Sequence, residues 1–242
     1  MDLDKQSNKS SGALPEFRII ARIRTDFPDK FGIPRQSGLI GSLVGKIIFE
    51  PEYRDPAALR GIEDWSHLWL IWLFSESIRG DWSPTVRPPR LGGNTRVGVF
   101  ATRSPFRPNP IGLSSVKLIR AADEGELGRV LYVSGADLMD GTPILDVKPY
   151  LAYTDSHPDA AGGFAAEVFG HSLSVGFPEE MLALLPEDKR SAAIEMLAQD
   201  PRPAVQHDPE RIYGLKFAGV EIKFRVEEDR LTVTEVIKEP LI

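Results

Sequence analysis

Toward the end of the chain, apolar and polar residues alternate with a period of two. Val220, Ile222, Phe224 and Val226 are separated by Glu221, Lys223, Arg225 and Glu227, and a polar turn at Glu228–Arg230 leads into Leu231, Val233 and Val236. Such alternation buries one face and wets the other, which predicts a β-hairpin. Up to Tyr150 the apolar runs are shorter: Phe17–Ile23, Lys46–Phe49, His67–Phe74, Arg96–Ala101, Leu113–Ile119, Val130–Ser134 and Ile144–Tyr150. Turn-rich segments separate them, and long helical periods are nearly absent. Short strands at this spacing predict an antiparallel sandwich or barrel.

Helical signals are few. Asp55 as N-cap, Pro56 at the first position and Gly61 as terminator predict a short helix over Pro56–Gly61. Further helices are predicted over Pro178–Leu185 and Pro186–Gln199, the second opened by Pro186 with Glu187 and Asp188 in its first turn. Asp200-Pro201-Arg202-Pro203 stops that run, because proline blocks helix continuation. The chain therefore divides into a polar, disordered tail (1–14), a β unit (15–154), a linker (155–177) and a small α+β unit (178–242).

Composition narrows the chemistry. There is no Cys, which removes disulfides, thiolate nucleophiles and Cys-ligated zinc and fits a reducing cytoplasm. The longest apolar stretch, Leu68–Phe74, is too short to span a bilayer, and the N-terminal tail lacks the apolar core of a secretory signal. Net charge is −6, yet six arginines stand against one acid, Asp81, between Arg79 and Arg107. Local field rather than net charge attracts a polyanion, and arginine favours planar recognition of phosphate or carboxylate.

The candidate chemistry lies in loops. Phe31–Gly38 sets Arg35 beside Gln36, and His67 opens an apolar strand. Phe100–Leu113 carries Pro105, Pro108 and Pro110, which hold Arg103, Arg107 and Asn109 on a stiff loop. Asp137–Pro143 is an Asp-rich turn. Taken singly, His67, Asp137 and Asp140 read as structural. No His or Cys pair has metal-ligand spacing, and no metal is expected. No Gly-x-Gly, Gly-Lys-Ser/Thr or Gly-x-Ser-x-Gly occurs, so a nucleotide-like cofactor would need another architecture. A non-catalytic RNA-binding barrel and a small-molecule hydrolase built on His67 and the Asp cluster remain open on these grounds.

Longer strings decide among them. Pro34-Arg35-Gln36, Trp65-Ser-His-Leu68, Arg87-Pro-Pro-Arg-Leu-Gly-Gly93, Gly98–Pro105, Arg107–Gly112, Asp140–Pro143, Asp146–Tyr150 and Ala198–Pro203 together resemble the TsaA-like, TrmO-type family of β-barrel methyltransferases. The resemblance implies a mainly β chain: a compact antiparallel β-barrel followed by a small α+β domain. It implies S-adenosylmethionine as cofactor, a homodimer, and methylation of N6-threonylcarbamoyladenosine at position 37 of tRNA. Carried over, the cofactor contacts are Pro34, Arg35, Gln36, His67, Leu68, Arg103, Leu113, Asp137, Leu138, Met139, Asp140, Gly141 and Thr142. Arg87, Arg90 and Arg107 are expected to meet substrate. Asn109 and Asp140 are the candidates for the catalytic group.

Overall fold

A computed structural model describes residues 16–88, 91, 94–168, 172–203 and 208–239. The expected tail, 1–14, and Arg90 lie outside the described residues. The chain forms β1 (Ala21–Arg24), β2 (Val44–Phe49), β3 (His67–Leu73), β4 (Thr85–Val86), β5 (Val97–Gly98), β6 (Ile111–Asp123), β7 (Arg129–Ser134) and β8 (Pro143–Pro149). After the short α1 (Ala152–Asp155) come β9 (Ser174–Gly176), α2 (Glu179–Leu182), α3 (Arg190–Ala198), β10 (Tyr213–Phe217), β11 (Val220–Glu227) and β12 (Arg230–Lys238).

The period-two runs become strands because one face of each can be buried. In β3, Leu68, Leu70 and Trp72 point inward, and in β6 Gly112, Ser114, Val116 and Leu118 do. Six strands close into a barrel in the order β1-β2-β7-β6-β3-β8, with every pairing antiparallel. The mainly β barrel expected from the sequence is present. Closure leaves no edge strand, so its backbone groups pair all the way round.

Antiparallel order also fixes which loops share a rim. The C-terminal ends of β1, β7 and β3 and the N-terminal ends of β2, β6 and β8 all lie at one end of the barrel. His67, at the N-terminal end of β3, lies at the other.

The second sheet has the order β10-β11-β12-β9, with β9 parallel to β12. Its apolar face packs with α3 and with Phe27, Ile40 and Leu43 from the segment joining β1 to β2. That segment therefore serves both units. Lys189 pairs with Asp26 at 2.6 Å, and the Ala218 amide donates to the Asp26 carbonyl at 3.1 Å. Gly32 has φ +87°, and a Cβ there would stand 2.2 Å from Leu215, so only glycine fits.

Several sequence expectations change in detail. Of Arg96–Ala101 only Val97–Gly98 pairs, as a hairpin with β4 outside the barrel. Val99–Ala101 is a 3-10 turn with Val99 buried, so the run has no alternating face to keep. The helix at Pro56 is a 3-10 turn over Pro56–Leu59, capped as expected by the Asp55 carboxylate on the Ala57 amide. The helices after Pro178 shrink to α2 and α3. Strands β9 and β10 are additions: β9 falls in the stretch read as linker, and Gly214 dilutes the alternation of β10.

Candidate functional site

Three loops meet at the rim: Phe31–Gly38 between β1 and β2, Thr102–Pro110 before β6, and Asp137–Thr142 between β7 and β8. With the end of β3 and the start of β6 they enclose a cleft of about 640 Å³. Pro34, Arg35, Gln36, Arg103, Leu113, Asp137, Met139 and Thr142, all expected cofactor contacts, line it, together with Arg107 and Asn109. The sequence spreads these residues from Pro34 to Thr142, nearly half the chain; the strand register brings them together.

The floor is built on one close approach. Trp72 lies across Gly112, where a Cβ would come within 2.2 Å of the indole. The indole Nε1 donates to the buried Ser114 hydroxyl at 2.9 Å, and Ser114 donates to Asp137 Oδ1 at 2.6 Å. Burial pushes the Asp137 carboxyl above its ordinary value, while the Ser114 hydrogen bond and the nearby Arg103 guanidinium draw it part of the way back. A carboxylate held this way is an acceptor aimed into a half-dry cleft. Opposite polar partners, Leu113 offers an apolar wall that is 55% exposed.

The loops are held to the barrel and to each other. The Gly38 amide donates to the Gly135 carbonyl at 2.8 Å, and the Ser115 amide to the Ser37 hydroxyl at 3.2 Å. Arg103 donates to the Gln36 side-chain carbonyl. Arg107 donates to the Thr102 carbonyl at 3.1 Å, which keeps its own loop folded. Arg35 donates to the Asp200 and Arg202 carbonyls at 3.1 and 3.5 Å. Behind those carbonyls, Arg202 pairs with Asp200 at 2.8 Å in a largely buried contact. Burial alone would raise the Asp200 carboxyl, but the Arg202 guanidinium holds it below the usual carboxylate range.

The Asp-rich turn divides its labour. The Asp140 carboxylate accepts from the Thr25 amide at 3.0 Å and from Arg24 at 3.1 Å, and the Gly141 amide donates to the Ile23 carbonyl at 2.8 Å. Leu138 is buried in the barrel core. These three tie the turn to β1, while Asp137, Met139 and Thr142 face the cleft. The structure does not bring His67 and Leu68 to it. His67 stands at the far rim, roughly 20 Å along β3, with the Ser66 hydroxyl 2.9 Å from Nδ1. Leu68 is 0% exposed in the barrel core.

Sequence reasoning missed Lys30, whose Nζ donates to the Glu76 carbonyl at 2.6 Å on the cleft wall. It also missed the Trp72–Ser114 pair, although a Ser at an inward position of an apolar strand was a usable signal. Among the described residues there is no cluster of three or more His, Cys, Asp or Glu that could hold a metal ion, and no helix long and apolar enough to cross a membrane.

A larger groove of about 1590 Å³ adjoins the cleft and shares Gln36, Arg103 and Pro105 with it. Arg79, Arg87 and Arg96 line it.

Two family models match the chain. The tRNA-methyltransferase O N-terminal domain matches residues 22–156, and the TrmO C-terminal domain matches residues 171–239. The chain is 41% identical over 221 residues to the tRNA (adenine(37)-N6)-methyltransferase of Escherichia coli (strain K12), an alignment covering 88% of this chain and 94% of that protein. It is 49% identical over 173 residues to the protein of the same name from Eikenella corrodens, covering 71% and 97%. Among solved structures it is similar to TrmO from Pseudomonas aeruginosa, with a TM-score of 0.72 and 32% identity over 92% of this chain and 98% of that one.

Proposed function

The chain belongs to the tRNA-methyltransferase O family, and from that membership we propose that it transfers a methyl group from S-adenosylmethionine to N6 of N6-threonylcarbamoyladenosine at position 37 of tRNA. The observation that carries this reading is the convergence of three sequence-distant loops on one cleft with a buried carboxylate, cationic side chains and an apolar wall. That donor set fits the cofactor. The Asp137 carboxylate suits ribose hydroxyls, Leu113 suits the adenine face, and Arg103 or Lys30 suits the cofactor carboxylate. Pro34, Arg35, Gln36, Met139 and Thr142 complete the proposed contacts. Leu138, Asp140 and Gly141 shape the turn, and His67 and Leu68 fall outside the ligand set of a single chain.

S-adenosylmethionine supplies a methyl group on a sulfonium that leaves as a neutral thioether, so the leaving group needs no acid. What remains for the protein is to hold the acceptor nitrogen in line. Of the two candidate catalytic groups, Asn109 lines the cleft and Asp140 is turned to Arg24 and Thr25. An amide cannot take the proton that N6 loses as the methyl group arrives, but its carbonyl can accept from N6–H and orient it, and the proton passes to solvent water. Arg107, on the same stiff loop and lining the cleft, is assigned to the threonyl carboxylate, and Arg87, in the groove, to the phosphate backbone. Arg90 keeps the same assigned role outside the described residues.

The reading includes a homodimer with its interface beside the cleft and the Pro105–Pro110 loop contributing, residence in the cytoplasm with tRNA, and two units, 15–154 and 178–242, joined through 155–177.

The test compares methyl incorporation into transcript tRNA before and after threonylcarbamoylation, at matched salt. Methylation is expected only of the modified tRNA. A site built to pair the threonyl carboxylate leaves Arg107 without its anion when that group is missing, and such sites reject the wrong substrate by several orders of magnitude. Equal rates on both would overturn the substrate assignment. RNA binding without affinity for S-adenosylmethionine would return the chain to the class of non-catalytic RNA-binding barrels. Light scattering at assay concentration checks the dimer; a fully active monomer would refute it.

A further inference from the structure

The groove next to the cofactor cleft combines two features that pull in different directions for most ligands. Arg79, Arg87, Arg96 and Arg103 line it, and none of them is in an ion pair among the described residues. In the same groove Trp82 is 54% exposed and Phe100 is 72% exposed, their ring centroids 6.2 Å apart and tilted by 33°. Exposing large rings beside four arginines that only one acid of the groove, Asp81, opposes costs free energy from both, which a folded protein tolerates where a ligand covers both. Phe106 differs: the Arg79 guanidinium already sits 3.8 Å over its ring, so one of its faces is taken.

We propose that Trp82 and Phe100 form a stacking platform for unpaired nucleobases of the RNA loop beside the target adenosine, while the arginines of the same groove hold the intervening phosphates. This rests on the methyltransferase reading and deepens it by assigning residues to bases other than the one that is methylated. Single-stranded RNA presents both chemistries at once, splayed bases with free π-faces and a phosphate on every nucleotide. A second copy of this chain, whose proposed interface has the Pro105–Pro110 loop in common with the groove, fits the Trp82–Phe100 face less well, because a two-fold contact centred there sets the patch against itself and would bring arginine against arginine. The geometry gives a direction of travel. Gln36, Arg103 and Pro105 belong to both the groove and the cleft, so a strand lying on the platform can enter the cofactor site without leaving the protein surface. Stacking on these rings is sequence-tolerant, so the platform sets little requirement on which bases flank the target.

The test is a cycle between protein and RNA. End-labelled anticodon stem-loops are made with the loop bases intact or with abasic sites next to the target adenosine, keeping every phosphate. Anisotropy at matched salt then measures binding by the full-length wild type, by Trp82→Ala/Phe100→Ala, and by Trp82→Phe. The wild type should bind the abasic RNA about tenfold more weakly than the intact one. The double variant should lose about tenfold on intact RNA and nothing further on abasic RNA. Trp82→Phe should behave as wild type, and S-adenosylhomocysteine affinity should be the same in all three, which reports an intact fold. The proposal is overturned if the wild type binds neither RNA, if the double variant binds both as the wild type does, if it loses equally on both, or if it changes the oligomeric state. A wild type that shows the base-dependent gap but methylates no threonylcarbamoylated tRNA keeps the platform and refutes the methyltransferase reading. A methylating wild type without the gap does the reverse.

Discussion

Inside the smaller cleft four of the polar side chains are already spoken for: Asp137 by Ser114, Ser114 by Trp72, Gln36 by Arg103, and Lys30 by the Glu76 carbonyl. In the larger groove Arg79, Arg87, Arg96 and Arg103 face one lining carboxylate, Asp81, and none of them is in an ion pair among the described residues. The difference is one of preorganisation. A small ligand gains from donors and acceptors fixed before it arrives, because little ordering remains to be done. A long polyanion gains from field strength and tolerates imprecise positions, at the cost of sensitivity to salt. Substitutions should therefore fall into two groups: those that alter cleft geometry change cofactor affinity, and those that alter groove charge change RNA affinity and its salt dependence.

The largest effect is expected from Arg202→Ala. It leaves the Asp200 carboxylate largely buried without its guanidinium, a loss of about 3–5 kcal/mol in stability. Urea unfolding measures it. Because Arg35 donates to the carbonyls of this same turn, cofactor affinity should fall as well, although Arg202 is placed in the second unit. The depressed Asp200 carboxyl adds a pH signature: its contribution is present above the ordinary carboxylate range and lost as pH falls through the depressed value.

Asp137→Asn comes next. Losing a charge-assisted hydrogen bond to the cofactor should weaken its binding by about 1.5–3 kcal/mol, read by calorimetry, with stem-loop RNA affinity unchanged. Its pH signature has the opposite sign. The raised carboxyl destabilises the fold as pH rises from the ordinary carboxylate value to the raised one, and Asn removes that penalty. The variant should thus be no less stable than wild type at neutral pH while binding cofactor worse. A joint loss of stability and affinity would erase the contrast with Arg202→Ala.

The smallest effect belongs to Arg87→Ala. One exposed phosphate contact should reduce RNA binding evenly across sequences and lower the salt slope by about 1, leaving cofactor affinity untouched. A change in cofactor affinity would mean that groove and cleft are not separable as described.

Much of the barrel was legible from the sequence, because short apolar runs bounded by turns mark its strands; β3 fills the run expected over His67–Phe74, and β6 extends the one expected over Leu113–Ile119 at both ends. The site was legible as a set of loops, through motif resemblance, but not as a place. Whether Pro34, Arg103, Leu113 and Asp137 share a rim depends on strand order and direction, which local patterns do not encode. His67 and Leu68 show the cost: both stand in a motif, yet register sends one to the opposite rim and the other into the core. Gly112 and Trp72 belong to one floor only because they are cross-strand neighbours. Strand β10 escaped because its alternation, Tyr213, Leu215 and Phe217, is too short to stand out beside Gly214.

Phe27, Ile40 and Leu43 belong to the core of the second sheet, yet they flank the loop that carries Pro34, Arg35 and Gln36. The two hydrophobic cores are thereby joined through a segment neither can release alone. Heating the chain should produce one cooperative transition rather than two. A ligand bound in the rim cleft should raise the melting temperature of the distant C-terminal hairpin together with that of the barrel, since mass action on one is felt by both.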